Sequence, residues 1–305
     1  LRARDFINIV KGPILIQVGP TTTTNYGYMF ACENLTSGKS TTTNVSLTAP
    51  GKSPITLMQD NIEFDLYREY STKTAVDADF PNGNYTLNLK GAAYSSLQFT
   101  IPLTGDAYPA DPRFSNFIAA QSVNPNADFT LSWNSLGLTA NDFVQFTVYG
   151  CNEDYEILQT PQPLQSGALN GTATSYTIPA NTLYPGQQYT IELLAVKVIN
   201  VTTNTTTDGN QVIAVTGYLK LLRTYLTTTG TSGNCISWRK PNYLFSFADG
   251  SIIGTNAQYS TPKTINKYNL YFKMSDSNPT NSVLFTGPAG SGLNNTPSSW
   301  YSQEG

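Results

Sequence analysis

The carboxylates of this sequence are the side chains whose types and spacing could most readily support catalysis. Histidine is absent from all 305 residues, so nucleophiles activated by histidine are excluded. Two sets of acidic residues could supply the acid and the base of a glycoside hydrolase: Glu63, Asp65 and Glu69, and Glu153, Asp154 and Glu156. Carboxylates at alternate positions of one strand, however, usually mark the solvated face of a sheet. Nothing in the sequence orients or perturbs a carboxylate, and we therefore predict that the protein is not an enzyme.

Metal ligands are equally sparse. Cys32, Cys151 and Cys235 stand far apart, without a Cys-x-x-Cys pair and without histidine, which excludes the usual zinc sites. Residues 77–84 are rich in Asp and Asn and resemble a cation loop, but no glutamate closes the loop as in an EF-hand. A hairpin turn with Asn82-Gly83 at its tip accounts for the same residues. The sequence predicts no metal and no cofactor.

Two features could involve carbohydrate. A flat platform of exposed aromatic rings could bind a sugar, and four residues are candidates for it: Trp238, Tyr243, Trp300 and Tyr301. The same rings could instead pack in a core or an interface. Seven Asn-x-Ser/Thr triplets could carry glycans in a secreted protein: Asn34, Asn44, Asn84, Asn170, Asn200, Asn204 and Asn294. A chain this rich in Asn and Thr also produces such triplets by chance.

Composition and charge limit the classes of partner. The net charge of −3 is spread without runs, which gives nucleic acid no electrostatic footprint. Aromatic residues make up 12% of the chain, against the few aromatics of a disordered segment, so we expect a folded protein. The apolar run that begins at Phe6 is broken by Lys11 and Pro13. It is too short for a signal peptide or a membrane span, and no membrane span is predicted elsewhere.

Alternating apolar residues predict strands along most of the chain. Phe129, Leu131 and Trp133 alternate, and Val144, Phe146 and Val148 do so again. Pro185-Gly186 predicts a turn, after which Tyr189, Ile191 and Leu193 form one face of a further strand. The segments led by Ile62, Tyr85 and Leu97 have the same period, and the apolar run that starts at Ile14 predicts an early strand. Without helical periodicity, this pattern predicts an all-β protein of packed sheets.

The middle of the chain resembles a fibronectin type III domain. The resemblance is carried by the strand around Trp133 and by the pattern Leu183-x-Pro185-Gly186-x-x-Tyr189. It implies an Ig-like β-sandwich in which the Tyr189 hydroxyl returns to the backbone upstream as a tyrosine corner. It covers about a third of the chain and implies a fold rather than an activity. A similar run occurs at residues 80–85; a second sandwich with the same corner would explain it, and so would chance, because the match is short.

Three regions are predicted along the chain. Residues 1–107 form an N-terminal β-sandwich, and residues 105–112, with two prolines, form a stiff hinge. Residues 108–229 form the fibronectin III-like domain, and residues 200–210 form the loop before its last strand. Residues 230–305 form a β-rich, loop-rich extension with too little apolar material for a core of its own. The expected fold is thus two tandem Ig/fibronectin III-like sandwiches with a C-terminal extension.

The fibronectin-like topology implies a disulfide between Cys151 and Cys235. The third strand and the last strand of such a sandwich end at the same pole, and each cysteine follows one of them. Cys32 belongs to the preceding domain, beyond the ~7 Å that separates bridged Cα atoms. The alternative is three buried thiols in a reducing compartment.

The function predicted from these features is structural. In its order of motifs the whole chain resembles large secreted bacterial surface proteins of unassigned role, which implies an extracellular or cell-surface location. The surface is nearly neutral, the sandwiches offer edge strands, and the segment from Phe6 to Val18 is apolar enough to serve as an added strand. We predict a homo-oligomer built by strand addition, as in a surface filament or layer. The alternative is an adhesive or polysaccharide-binding surface module.

Overall fold

The computed structural model describes residues 3–36, 42–60, 63–91, 94–150, 156–205 and 211–231, together with four short strands between residues 243 and 284. Nearly all of its regular elements are β-strands, which confirms the all-β class. The first lobe contains eight strands: β1 (Ala3–Gln17), β2 (Thr23–Thr36), β3 (Thr42–Thr48), β4 (Ile55–Thr56), β5 (Met58–Asp60), β6 (Glu63–Tyr70), β7 (Gly83–Gly91) and β8 (Tyr94–Leu103). A seven-residue helix, α1 (Lys73–Asp79), lies between β6 and β7. In the part of the chain that the structure describes, no helix could cross a bilayer.

The second lobe contains seven strands, and a 3₁₀ turn at Ala119–Gln121 precedes them. They are β9 (Phe129–Ser132), β10 (Phe143–Tyr149), β11 (Glu156–Gln159), β12 (Leu169–Asn170), β13 (Ser175–Ile178), β14 (Gln188–Thr205) and β15 (Gln211–Thr227). Four strands follow in the C-terminal region: β16 (Tyr243–Ser246), β17 (Ile252–Gly254), β18 (Leu270–Met274) and β19 (Val283–Leu284).

One large sheet passes through both lobes. Its strand order is β11-β10-β14-β15-β1-β2-β6-β5, with β12 added beside β10. Strand β14 has 18 residues, enough for roughly 60 Å of extended chain, and its hairpin partner β15 is nearly as long. The regions predicted as residues 1–107 and 108–229 therefore share a sheet, because β1 of the first region pairs with β15 of the second.

Both sandwiches are built on the same face of this sheet. In the first lobe, the sheet β4-β3-β7-β8 packs on it around Ile7, Ile9 and Tyr218. In the second lobe, the two strands β13-β9 pack on it around Leu15, Trp133 and Leu222. Even-numbered residues of β15 enter both cores: Val212 and Ala214 enter the first, and Leu222 and Leu226 enter the second. A single long strand therefore contributes to two cores.

The opposite face of the large sheet is concave, so that side chains from distant strands of this face contact each other. Phe6 of β1 and Phe143 of β10 lie three strands apart in the sheet, yet their ring centroids are 6.3 Å apart in an edge-to-face contact. Such a contact requires strong coiling of the sheet, in the direction that strand twist favours. The coiling buries a third apolar cluster that includes Val10, Ile14 and Leu219.

The tyrosine corner predicted at Tyr189 is present, and Tyr85 forms a second one. The Tyr189 hydroxyl accepts a hydrogen bond from the backbone N–H of Tyr184 at 2.7 Å, and the Tyr85 hydroxyl donates to the carbonyl of Pro81 at 2.8 Å. Trp133 is buried beside Phe146, as the fibronectin resemblance implied. These contacts support an Ig-like, fibronectin III-like sandwich in the middle of the chain.

Two local predictions were wrong. Residues 80–85 do not form a hairpin turn, because they connect α1 to β7, and Thr72 caps α1 by accepting from the N–H of Ala75. The predicted loop at residues 200–210 is strand as far as Thr205, where Thr205 pairs with Gln211.

Candidate site for strand insertion

Strand β1 lies in the centre of the large sheet. It is antiparallel to β2, with partners from Asp5–Thr36 to Gln17–Thr23, and parallel to β15, with partners from Ala3–Gln211 to Ile16–Arg223. Both of its backbone edges are therefore occupied along most of its 15 residues. Strand β1 fills the groove between β15 and β2, which we call the strand groove.

The side chains of β1 are buried on both faces of the sheet. Ile7 and Ile9 enter the first core and Leu15 the second, while Phe6, Val10 and Ile14 belong to the concave-face cluster. Each of these six side chains is at most 7% exposed. A central strand that is covered on both faces is expected to be apolar at nearly every position. The strand groove therefore holds β1 by burying its side chains as well as by pairing with its backbone.

Lys11 is a buried cation near the middle of this strand, whose other buried polar residues are Asp5, Asn8 and Gln17. Its side chain is fully buried, and its Nζ donates to Oδ1 of Asp77 at 2.6 Å and to the carbonyl of Phe80 at 3.0 Å. Lys73 donates to the other carboxylate oxygen of Asp77 at 2.5 Å and also pairs with Asp106. Partial burial opposes ionisation of Asp77, but the bonds from Lys11 and Lys73 outweigh it and hold its pKa below the usual range. The ammonium group of Lys11 is thus paired and hydrogen-bonded inside the first lobe.

The role of Lys11 was missed from the sequence, where it counted only as an interruption. The available signal was a cation in the middle of a segment, Phe6 to Ile16, that is mostly apolar. Asp77, which belonged to the suggested cation loop, is the partner of two lysines in the structure.

A short turn joins β1 to β2. Residues 18–22 form it, and the N–H of Val18 donates to the carbonyl of Thr22 at 3.1 Å. Gly19 and Pro20 occupy its centre, and Val18 is 60% exposed. The Gln17 side chain donates to the carbonyl of Phe114 and accepts from its N–H, which anchors the end of β1 in the second lobe.

An acidic cavity lies on the concave face of the sheet, away from both sandwiches. Its volume is about 590 Å³. Five carboxylates line it, from β2, β6, β11 and β14: Glu33, Glu63, Asp65, Glu156 and Glu192. Arg223 is the basic residue among its described lining and donates to Glu192 at 2.5 Å. The cavity therefore joins members of the two predicted acidic sets, whereas Glu69 lies apart and bonds to Arg223.

The pKa of Glu33, one of the carboxyl groups of this cavity, is raised. Burial is the main cause, and the charges of Asp65, Glu63 and Glu156 add to it, while a hydrogen bond from Asn8 acts against it. A group whose folded pKa is raised stabilises the fold below its ordinary value of 4.5, and that stabilisation is lost as the pH rises through the folded pKa.

Replacing Glu33 by glutamine is therefore expected to raise the melting temperature at neutral pH. The glutamine amide can still accept the bond from Asn8, but it carries no charge into the cavity. The gain should disappear below about pH 4, where Glu33 is protonated in both folded and unfolded chains. Melting curves of both chains across this pH range check the result. Glu69→Gln is the matched control, since it removes an attraction to Arg223 and should not stabilise; a constant difference at all pH values would contradict the assignment.

The remaining predicted site residues differ in burial. Asn34 is fully buried, so a glycan on it cannot coexist with this packing. Among the other sequons, Asn84 and Asn170 are exposed and Asn44, Asn200 and Asn204 are partly buried, and their glycosylation stays a prediction. Cys32 is a buried free thiol. The predicted residues that lie outside the described structure, wholly or in their side chains, are Cys151, Glu153, Asp154, Cys235, Trp238, Tyr243, Asn294, Trp300 and Tyr301.

Comparisons with known proteins return structures but no family. Neither a protein-family model nor a curated protein matches the sequence. Among solved structures, the BSP domain of a biofilm-associated protein is 14% identical over 73% of this chain, with a TM-score of 0.19. Fibronectin(III)-like modules of Clostridium thermocellum CbhA are 9% identical over 76% of this chain and 99% of theirs, with a TM-score of 0.22. SGBP-B of the Bacteroides ovatus mixed-linkage glucan utilization locus, solved in complex with a mixed-linkage heptasaccharide, is 15% identical over 90% of this chain and 62% of its own, with a TM-score of 0.14.

The matched part spans 30% of the length of the biofilm-associated chain. The assignment of the fold therefore depends on the sheet order and the corner contacts of this chain, and not on these similarities.

Proposed function

We propose that the protein is a structural, non-enzymatic subunit of an extracellular or cell-surface assembly, and that its copies assemble by exchanging β1. In the assembled form, β1 of one copy lies in the strand groove of the next. The observation that carries the proposal is the position of β1, the first described strand of the chain, at the centre of the large sheet.

The exchange is thermodynamically feasible because it conserves contacts. If the turn at residues 18–22 opens, β1 can leave as a unit and make the same strand pairs and the same apolar contacts in another copy. Swapping an identical element between copies costs little free energy, so protein concentration decides between closed and exchanged forms. The nearly neutral, weakly charged surface offers little repulsion between neighbouring copies.

An engineered disulfide distinguishes the two forms. Ile9 of β1 is the cross-strand partner of Cys32 in β2, and both side chains are buried in the first core. Directly opposed residues of antiparallel strands have Cα atoms about 4.5–5.5 Å apart, which a disulfide can bridge. In the Ile9→Cys variant, mild oxidation is expected to link chains covalently, so that a denaturing gel without reductant shows a ladder of multimers.

Two controls make the gel decisive. Wild-type chain under the same oxidation reports any bridge made by Cys151 or Cys235, and Ile9→Cys combined with Cys32→Ala removes the designed partner. Both should lack the ladder. If Ile9→Cys runs entirely as an internally bridged monomer at every protein concentration, β1 remains in its own chain and the proposal is wrong.

Polysaccharide binding is the alternative function. The residues that would bind the sugar are Trp238, Tyr243, Trp300 and Tyr301, whose side chains lie outside the described structure. No observation on the described residues favours it over assembly.

A further inference from the structure

The pairing of Lys11 with Asp77 depends on the register of β1. A shift by two residues would place Ile9 or Pro13 opposite Asp77 and the carbonyl of Phe80. A shift by one residue would turn Lys11 to the concave face, into the apolar cluster around Val10 and Leu219. Either change leaves a buried charge without its partner, which is strongly unfavourable. The ion pair therefore favours one register of β1 in the strand groove.

Gly12 favours the same register for a separate, steric reason. A Cβ atom placed on Gly12 would lie 1.9 Å from the carbonyl oxygen and 2.8 Å from the carbonyl carbon of Leu219. These are backbone atoms of the neighbouring strand β15, so they cannot move aside as a flexible side chain would. Gly12 is also the single glycine between residues 3 and 17. Any shift of β1 brings a larger residue to this close approach.

We propose that the strand groove is specific for a strand with a cation followed by glycine at its centre, and that its partner is therefore β1 of a second copy of this chain in one register. This inference rests on the proposed function and adds the means by which a copy recognises its neighbour. An unrelated apolar strand could pair with the edges of β15 and β2. It would leave Asp77 and the carbonyl of Phe80 without the buried ammonium group, and it would meet Leu219 with a side chain.

Exchanging the two charges of the pair tests this specificity. Lys11→Asp alone puts two carboxylates together, and Asp77→Lys alone puts lysines together. Each single variant should therefore fail to assemble with itself. An equimolar mixture of the two single variants should assemble, because each β1 then finds a complementary strand groove in the other variant. The double variant Lys11→Asp/Asp77→Lys should assemble alone. Light scattering and electron microscopy of all four samples, with wild type beside them, give the readout.

The outcomes separate this inference from the proposed function. If chains with Ile9→Cys form the interchain ladder, but both single charge variants assemble as wild type does, exchange is right and charge recognition is wrong. If no interchain ladder forms, yet the double variant recovers the melting temperature that the single variants lose, the ion pair selects β1 within one chain and the exchange is wrong.

A milder variant tests the same inference if the charge variants do not fold. Lys11→Met keeps the length and the apolar stem of the side chain and removes only the charge. In an equimolar mixture with wild type, β1 of wild type is expected to occupy the strand grooves of wild-type chains at least about tenfold more often, because the variant strand lacks the hydrogen bonds of the charged group. Differently tagged chains that carry Ile9→Cys report each pairing as a band of its own mass. Equal occupancy by the variant and wild-type strands would overturn the inference.

Discussion

Replacing Trp133 by alanine is expected to reduce the free energy of unfolding by about 3–5 kcal/mol. Trp133 is 3% exposed in the second core, between Phe146, whose ring is stacked 6.5 Å away, and Phe114, which meets it edge-on. Its indole N–H also donates to the carbonyl of Ala173 at 2.8 Å. Alanine would leave a cavity among these rings and an unpaired carbonyl beside it. Denaturant unfolding followed by circular dichroism measures the loss.

Tyr189→Phe is the matched variant in the same core. It keeps the buried ring and removes only the hydroxyl that accepts from the Tyr184 N–H, so a loss of about 0.5–1.5 kcal/mol is expected. Because Tyr184 is half exposed, water can replace that bond. Unfolding midpoints that are the same for the two variants would show that Trp133 is not a core residue.

Local sequence patterns predicted the second lobe well because its signals are short-range. The turn at Pro185-Gly186 and the alternation after Tyr189 lie within a dozen residues, and the resulting strand and corner are present. In each case a residue's neighbours in the chain were enough to specify its environment.

The arrangement of β1 could not be predicted in this way. Its apolar residues predicted a strand, but its partner β15 is about 200 residues away in the sequence, and parallel pairing leaves no local turn signal. The role of Lys11 also depends on Asp77, which lies in the helix α1. That helix was missed because seven residues give too little periodicity to outweigh the Asn82-Gly83 turn signal.

The acidic cavity was missed for a related reason. The sequence placed Glu63 and Asp65 on the solvated side of a strand, which holds for an isolated flat sheet. Coiling of the large sheet brings β2, β6, β11 and β14 around one space, so that Glu63, Asp65 and Glu156 all raise the pKa of Glu33. Coiling is a property of the whole sheet, and no single segment encodes it.

Replacing Gly12 by alanine is expected to be among the most damaging single changes in β1. The added methyl group would lie 1.9 Å from the carbonyl oxygen of Leu219, so the central strands β1 and β15 would have to separate where the two lobes meet. We expect a loss near or above the upper end of the ~1–3 kcal/mol that overpacking usually costs. Thermal unfolding measures it.

Gly19→Ala, in the turn that follows β1, is the matched control for this change. The added methyl group would there meet only Thr22, with its nearest atoms at 3.7 Å, which is ordinary van der Waals contact. Its melting temperature should stay close to that of wild type. If Gly12→Ala has the same melting temperature as Gly19→Ala, β1 and β15 can separate freely at this point. Gly12 then does not fix the position of β1 in the strand groove.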